Sequence, residues 1–322
     1  MDQALRFILF FILKIPIYAY YYIMSNIDNI LRCFPLRLRE FMQKNISSDE
    51  LEVLEEIRIR NNKNVILNLG LKEKILNYVV MPEETEFIFE KICENSIYTY
   101  QNQIVNGFIT LNGGNRVGLV GTAVIKDGKI INFNYISSLN FRISRQILGC
   151  SNKVLPEIIN AKENCIYNTL IVSEPGKGKT TLLRDIVRNL SNGIEGVLKG
   201  QEVCVIDERG EISATYKGIS QNDLGLRTDV INDTPKAIGM RMAIRSMAPK
   251  IIVADEIGSK EDAEAIRFVL CSGVKGIFTA HGKDVKDICK NPELNKLVEE
   301  GIFDRIIRIE RRNNIVCEKN SI

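Results

Sequence analysis

Apolar and polar residues follow one another in two different patterns, and the change between them divides the chain in two. From residue 25 to about residue 75, apolar residues at helical spacing are followed by the period-two pattern of Leu54–Arg60, which is typical of a strand. A helical pattern over residues 83–98 comes next, and then a hairpin-rich run with turns at Gly113-Gly114 and Asp127-Gly128. These patterns predict an α+β domain over residues 24–150.

Beyond residue 150 the pattern is typical of a parallel sheet. Short apolar strands alternate with longer helical segments, as βαβ units require. The predicted strands are Leu170–Val172, Val203–Ile206, Ile251–Ala254 and Ile277–Thr279. We therefore predict an α/β domain over residues 151–322, preceded by the smaller α+β domain.

The first 23 residues differ from the rest of the chain. Leu5–Met24 is nearly all apolar, but Arg6, Lys14 and Pro16 interrupt it, and a central lysine alone costs about 3 kcal/mol on membrane-insertion scales. We expect neither a transmembrane helix nor a secretory signal here. Two interpretations stay open: residues 1–23 precede a natural start at Met24, or they form a peripheral membrane anchor.

Composition places the chain among ordinary globular proteins. It has 322 residues, of which 45% are hydrophobic and 26% charged, and a formal net charge of +3, too small to indicate phosphate binding over the whole surface. Eight cysteines are scattered without a CxxC pair, and there is one histidine. We therefore expect reduced thiols, an intracellular protein and no zinc site.

A candidate phosphate-binding loop follows the first parallel strand. Its glycines let backbone N–H groups surround the β-phosphate, and the helix that follows adds its dipole. Ser173 stands where the P-loop pattern has its first glycine, a departure that a small residue can tolerate. Lys179 would reach the β and γ oxygens, and Thr180 would bind Mg²⁺. The predicted nucleotide-binding residues are Ser173, Glu174, Pro175, Gly176, Lys177, Gly178, Lys179, Thr180 and Thr181.

Two further strands end in adjacent carboxylates. Asp255 and Glu256 follow a buried apolar strand, where a P-loop fold holds Mg²⁺ through the aspartate and polarises the attacking water with the glutamate. Asp207 and Glu208 end another apolar strand in the same way. The alternative for each pair is that its members are ordinary acids at a solvated strand end.

These motifs closely resemble those of the stage III sporulation protein AA family, which belongs to the secretion-type ATPases of type II and type IV systems. The resemblance extends to Gly113–Gly118, Ser137–Ser144, Gly225–Asp229, Gly239–Met247 and Thr279–Gly282. It covers nearly everything after Met24. It implies a RecA-like P-loop NTPase domain that binds ATP and Mg²⁺ and hydrolyses the ATP.

The resemblance also implies roles for individual residues. Asp207 and Glu208 would assist at the Mg²⁺ and the water, and His281 would sense the γ-phosphate. Arg142 or Arg145 would project from the first domain towards the γ-phosphate and neutralise charge that develops during phosphoryl transfer. Without the resemblance, two interpretations stay open for each: the histidine is a sensor or an ordinary surface or core residue, and each arginine acts at the γ-phosphate or forms exposed salt bridges along a strand.

For the whole protein, the resemblance implies a homo-hexameric ring at the cytoplasmic face of the mother-cell membrane. There it would power the channel between mother cell and forespore during endospore formation, with integral membrane components of that channel as partners. The protein itself is expected to be cytoplasmic and peripheral to the membrane.

Two other functions are weighed against this one. A RecA-like NTPase that acts on nucleic acid would use Arg58, Arg60, Arg241 and Arg245 as phosphate contacts. The chain has no tryptophan and no basic stretch interleaved with aromatic residues, so we expect no nucleic acid partner. A module that binds nucleotide without hydrolysing it is disfavoured by the intact loop and strand-end residues.

Overall fold

The computed structural model describes residues 27–311 and 314–319. The apolar leader, residues 1–23, lies outside the described residues. The chain divides into two compact units between Arg145 and Gln146, slightly before the boundary near Cys150 that the sequence predicts. Within the described ranges, no helix is long and apolar enough to cross a membrane.

The N-terminal unit is built on a six-stranded antiparallel sheet. Its helices are α1 (Leu36–Asn45), α2 (Ser48–Val53), α3 (Pro82–Ile92) and α4 (Gln101–Val105), with a 3₁₀ turn at Ile97–Tyr100. Its strands are β1 (Glu56–Arg60), β2 (Asn64–Leu69), β3 (Lys72–Val79), β4 (Phe108–Thr110), β5 (Arg116–Lys126) and β6 (Lys129–Arg142), in the spatial order β3-β2-β1-β6-β5-β4. Ile57 and Ile59 of β1 are fully buried between less buried charged neighbours, as the period of a strand requires.

The helix predicted over residues 83–98 is interrupted in the structure. Helix α3 ends at Ile92, and Glu94 and Asn95 have φ of 50° and 60° before the 3₁₀ turn begins. Left-handed residues cannot continue a right-handed α-helix, so the single predicted helix was wrong. The predicted strand from Leu54 also starts later, at Glu56, because Leu54 caps α2.

The C-terminal unit contains a seven-stranded sheet that is parallel except at one edge. Its helices are α5 (Leu155–Ile158), α6 (Lys179–Asn192), α7 (Lys236–Ser246), α8 (Lys260–Cys271), α9 (Val285–Ile288) and α10 (Pro292–Glu299). Its strands are β7 (Ile159–Asn160), β8 (Cys165–Ile166), β9 (Thr169–Ser173), β10 (Gly193–Ile194), β11 (Leu198–Lys199), β12 (Val203–Asp207), β13 (Thr228–Asn232), β14 (Ile251–Ala254), β15 (Lys275–His281), β16 (Arg305–Arg311) and β17 (Asn314–Lys319). The large sheet has the order β13-β12-β14-β15-β9-β16-β17, and the short strands pair as β7 with β8 and β10 with β11.

The four predicted parallel strands lie together in the centre of this sheet. Every residue of β9, β12 and β14 is buried, which suits parallel strands covered by helices on both faces. Helix α6 buries one apolar face, formed by Leu182, Leu183, Ile186, Val187 and Leu190. Because β9, β12, β14 and β15 run in the same direction, the residues that follow them converge at one edge of the sheet.

Asp185 is a buried carboxylate that ties α6 to the segment before α5. It accepts hydrogen bonds from the N–H of Ser151 at 2.8 Å, from the hydroxyl of Ser151 at 2.6 Å and from Arg188 at 3.1 Å. Burial raises the pKa of Asp185, but the hydrogen bonds outweigh burial and the pKa is lowered. The resulting stability is present above the ordinary carboxyl pKa and is lost as the pH falls towards the lower folded value.

We expect Asp185→Ala to reduce the free energy of unfolding by about 2–4 kcal/mol, because the buried Ser151 loses its charged acceptor. Urea denaturation at neutral pH measures the change. Asp229→Ala is the control, since Asp229 lies exposed on strand β13, and it should change the free energy by less than about 0.5 kcal/mol. Similar losses in the two variants would contradict the role given to Asp185.

Candidate functional site

The loop between β9 and α6 carries the predicted phosphate-binding residues. Gly176 and Gly178 have φ of 74° and 89°, and a Cβ at either would meet no atom within 4 Å. These two positions therefore need glycine for their backbone conformation, and without side chains they leave the backbone of the loop accessible. Ser173 ends β9 and is fully buried. The rest of the loop is formed by Glu174, Pro175 and Lys177, and the first turn of α6 by Lys179, Thr180 and Thr181.

The start of α6 and the end of β14 meet through a direct hydrogen bond. The hydroxyl of Thr180 donates to Oδ2 of Asp255 at 2.8 Å. Oδ1 of Asp255 accepts from the hydroxyl of Thr279 and from the N–H of Glu256 at 3.1 Å. A hydroxyl and a carboxylate thus lie side by side beside the phosphate loop, and such oxygen atoms are the ligands that Mg²⁺ prefers.

His281 links Lys179, at the end of the predicted phosphate-binding loop, to Glu256. It ends β15, where it is paired with Ser173 of the neighbouring strand β9. Its Nδ1 lies 3.0 Å from Nζ of Lys179, and its Nε2 lies 2.6 Å from Oε1 of Glu256. Because an ammonium only donates and an ionised carboxylate only accepts, these contacts select the neutral imidazole with its proton on Nε2.

Burial and neighbouring charges shift the pKa values of Lys179 and Glu256. Burial lowers the pKa of the Lys179 ammonium, and the charges of Asp255 and Glu256 oppose that change without cancelling it. Burial raises the pKa of Glu256, but the hydrogen bond from His281 and the positive charge around the carboxylate outweigh it, and the pKa is lowered. Glu256 is therefore held as a carboxylate, the form that a proton acceptor requires.

Asp207 is placed differently from the role that the sequence predicts for it. Its side chain is nearly fully buried, and its two oxygens accept four hydrogen bonds: from the N–H of Glu211, Ile212 and Ser213, at 2.8, 3.2 and 2.7 Å, and from the Ser213 hydroxyl at 2.6 Å. A carboxylate has about four such acceptor positions. This geometry makes Asp207 the anchor of the following loop and argues against its predicted part at Mg²⁺.

Glu208 faces the same side of the sheet as the other strand-end acids. Its carboxylate forms an ion pair with Lys236 at the start of α7. An open pocket is lined by Glu208, Asp255 and Glu256, together with Ile206, Asp207, Arg209, Glu211 and Lys236. The second pair of acids therefore borders the site, but only Glu208 turns a partly exposed carboxylate towards it.

The two predicted arginines belong to the N-terminal unit. Arg142 ends β6, its side chain is 65% exposed, and its Nε lies 3.9 Å from Oε1 of Glu56. Arg145 is partly buried and donates to the backbone oxygen of Leu54 at 2.8 Å. Burial lowers the pKa of Arg145 against the opposing charges of Glu55 and Glu52. Both arginines thus have contacts within their own unit, and Arg142 is the more accessible.

Two residues of the site have no role in the sequence analysis. Thr279 donates to Asp255 and accepts from the N–H of Glu256 at 2.9 Å. Nη1 of Arg209 lies 2.6 Å from Oε2 of Glu256. Arg209 directly follows Glu208 and Thr279 lies two residues before His281, and this closeness to residues with predicted roles is the signal that points to them.

Two solved structures of bacterial proteins share this fold. The ATPase DotB of Legionella pneumophila superposes with a TM-score of 0.56 at 15% identity, over 88% of this chain and 79% of that chain. The pilus retraction motor PilT, solved with bound ADP, gives 0.52 at 13% identity, over 81% and 75%. Likeness at these identities concerns the fold, and it confirms the predicted fold class.

Sequence comparison identifies the family. The family described as "Sporulation stage III, protein AA" matches residues 24–316. Stage III sporulation protein AA of Bacillus subtilis (strain 168) is 37% identical over 284 residues, which make up 88% of this chain and 91% of that protein. The family predicted from the motifs is thereby confirmed: the chain belongs to the stage III sporulation protein AA family, and it shares its fold with DotB and PilT.

Proposed function

We propose that the protein is a Mg²⁺-dependent ATPase. The observation that carries the proposal is the hydrogen bond from Thr180 to Asp255, because it brings the end of the phosphate loop to the acids that follow β14. Phosphoryl transfer requires a phosphate cradle, oxygen ligands for Mg²⁺ and a group that orients the attacking water, all at one place. Membership of the family and the secretion-ATPase fold support the same function.

The residues at this edge of the sheet fit a nucleotide with Mg²⁺. Gly176 and Gly178 leave backbone N–H groups accessible to phosphate oxygens, and α6, with 14 residues, contributes the positive end of its dipole. Thr180 and Asp255 would hold Mg²⁺ through the two oxygens that now contact each other. Bound there, the ion would neutralise charge on the β and γ phosphates.

The side chains around the loop have distinct parts in the proposed reaction. Lys179 donates to the β and γ oxygens, and Glu256 accepts a proton from the attacking water. His281 would sense the γ-phosphate, and its contacts with both residues support this role. Glu208, which borders the same pocket, assists at the water.

We place this activity in endospore formation on the strength of the family. The protein would work as a homo-hexameric motor at the cytoplasmic face of the mother-cell membrane. Its partners would be integral membrane components of the channel between mother cell and forespore, and ATP hydrolysis would energise that channel.

The proposed function is tested by phosphate release from ATP, with sizing of the protein in the same samples. We expect turnover with Mg²⁺, none with EDTA, and a larger particle when ATP is present. Tight ATP binding without hydrolysis would instead favour a nucleotide-binding module. A rise in turnover with single-stranded nucleic acid would favour the nucleic acid alternative.

We expect Arg142→Ala to reduce turnover at least about ten-fold while leaving affinity for ADP unchanged, because the lost charge acts mainly on the transition state. Arg142→Lys should recover little, since an ammonium lacks the planar fork of a guanidinium. Turnover is compared with fluorescence titration of ADP. Unchanged turnover would remove Arg142 from the site.

Arg145→Ala separates catalysis from folding. Since Arg145 is partly buried and bonded to the Leu54 carbonyl, its loss should lower the melting temperature of the protein. Arg142→Ala should leave the melting temperature nearly unchanged, because the side chain of Arg142 is exposed and its contact with Glu56 is long. Loss of turnover per folded molecule in Arg145→Ala alone would make Arg145 the catalytic arginine instead.

A further inference from the structure

Arg209 contacts the oxygen of Glu256 that His281 leaves free. Nη1 of Arg209 is 2.6 Å from Oε2, and Nε2 of His281 is 2.6 Å from Oε1. Each oxygen of this carboxylate therefore has its own donor. The two donors come from different strands of the sheet, Arg209 from the turn after β12 and His281 from the end of β15.

The backbone of Glu256 is fixed as well. Its φ is 53°, a left-handed value that is uncommon for a residue with a side chain and that persists where surrounding contacts hold it. The contacts are hydrogen bonds from its N–H to the hydroxyl oxygen of Thr279 at 2.9 Å and to Oδ1 of Asp255 at 3.1 Å. With the backbone and both carboxylate oxygens held, the direction of the side chain is defined.

The turn that carries Arg209 is anchored on both sides. The carboxylate of Asp207 binds the N–H groups of Glu211 and Ser213, and the backbone oxygen of Asp207 accepts from the N–H of Gly210. The side chain of Arg209 is 66% exposed, and an exposed ion pair by itself stabilises a fold little. We therefore expect this contact to affect the orientation of Glu256 and not the stability of the fold.

We propose that Arg209 is a positioning residue: it holds Oε2 of Glu256 so that Oε1 faces the phosphate loop and accepts the proton of the attacking water. The proposal rests on the ATPase function proposed above. Oε1 is the oxygen on the side of the phosphate loop because its partner His281 also contacts Lys179.

The step that this arrangement serves is a balanced hydrolysis. One O–H bond of water breaks and its proton goes to Oε1, while the water oxygen forms a bond to the γ-phosphorus. The bond from that phosphorus to the β–γ bridging oxygen breaks, and its electron pair leaves with ADP. Arg209 takes no proton in this step, because a guanidinium stays charged and can only donate hydrogen bonds.

Turnover kinetics test the proposal. Arg209→Ala should lower kcat about ten-fold with less than about a two-fold change in KM for ATP, because orientation of a base acts on the chemical step. Arg209→Lys should recover part of the loss. Arg267→Ala is the control: it breaks an exposed guanidinium–carboxylate pair with Glu300 at 2.8 Å and should change neither constant.

A double variant shows whether Arg209 acts through Glu256. In single-turnover phosphate release, Arg209→Ala should cause no further loss when it is added to Glu256→Gln. An equal further loss in that background would overturn the proposal, because Arg209 would then act on the phosphates directly. Wild-type kcat in Arg209→Ala would overturn it too.

The one histidine of the chain supplies a readout that does not need turnover. In ¹⁵N-labelled protein without a histidine tag, the imidazole signals report His281 alone. We expect the neutral form with the proton on Nε2, shifted signals in Arg209→Ala and unshifted signals in Arg267→Ala.

This measurement separates failure of the inference from failure of the proposed function. A wild-type protein that hydrolyses no ATP would defeat the ATPase proposal, and the imidazole signals would still report whether Arg209 orients Glu256. Identical signals in wild type and Arg209→Ala would overturn the positioning role, whatever the turnover.

Discussion

Glu256→Gln is expected to stop ATP hydrolysis while Mg²⁺-ATP stays bound. The amide keeps the shape of the side chain but cannot take a proton from water, and loss of a general base costs about 10²- to 10⁴-fold in rate. The amide also has a single acceptor oxygen, so it must give up its bond to either Arg209 or His281. Single-turnover phosphate release and filter binding of labelled ATP measure the two effects separately.

The control for this variant is Glu264→Gln, because Glu264 is exposed on α8. It should leave both binding and turnover at wild-type values. Loss of ATP binding in Glu256→Gln would give Glu256 a metal-holding or structural part in place of the role as base.

Lys179→Ala is expected to weaken nucleotide binding strongly and to reduce turnover even more. The ammonium is nearly buried beside the carboxylates of Asp255 and Glu256, and in the proposed function it would meet the β and γ phosphates. Loss of one charge-assisted hydrogen bond of about 1.5–3 kcal/mol weakens binding about 10- to 100-fold. Turnover should fall further, because the same charge stabilises the transition state.

Folding should survive this change, since alanine is a good former of the helix that Lys179 begins. Lys290→Ala, which removes an exposed lysine paired with Asp287, is the control and should leave ATP affinity unchanged. Titration with a fluorescent ATP analogue measures the affinity, and circular dichroism checks the fold. Wild-type hydrolysis by Lys179→Ala would show that the loop after β9 is not a phosphate-binding loop.

Strands were predictable from the sequence where both of their faces are buried. β9, β12, β14 and β15 are short apolar runs, and the sequence identifies all four. β13 escapes notice because Thr228–Asn232 lies at the edge of the sheet, is only partly buried and is half polar. β16 escapes notice for a different reason: it lies inside the sheet with buried isoleucines, but arginines interrupt its apolar run.

The sequence predicts one helix over residues 83–98 and the structure interrupts it, and this difference has a local cause. The apolar spacing of α3 continues past Ile92 and predicts one helix, but it carries no information on the backbone of Glu94 and Asn95. Their left-handed conformations end the helix. Neither residue is a glycine, the commonest stop signal, and Asn95 provides only the weaker signal of an asparagine.

By itself, the sequence determined which residues have the chemistry for phosphate and metal binding. Both signals are local patterns: the spacing from Ser173 to Thr180, and the acids after Ile251–Ala254. Such patterns can be read from the sequence because a phosphate-binding loop consists of consecutive residues whose backbone conformations depend mainly on their own identity.

Only the tertiary structure decided which of these side chains meet. Lys179 and His281 are 102 residues apart and Arg209 and Glu256 are 47 apart, and their contacts depend on the lateral order β12-β14-β15-β9. Asp207 and Asp255 end neighbouring parallel strands, yet one anchors a loop and the other meets Thr180. The sequence pattern predicts where each strand ends. It does not predict the order of the strands, their register or the donors that reach each carboxylate. Those features depend on contacts between distant segments, and no spacing along the sequence relates the residues that meet.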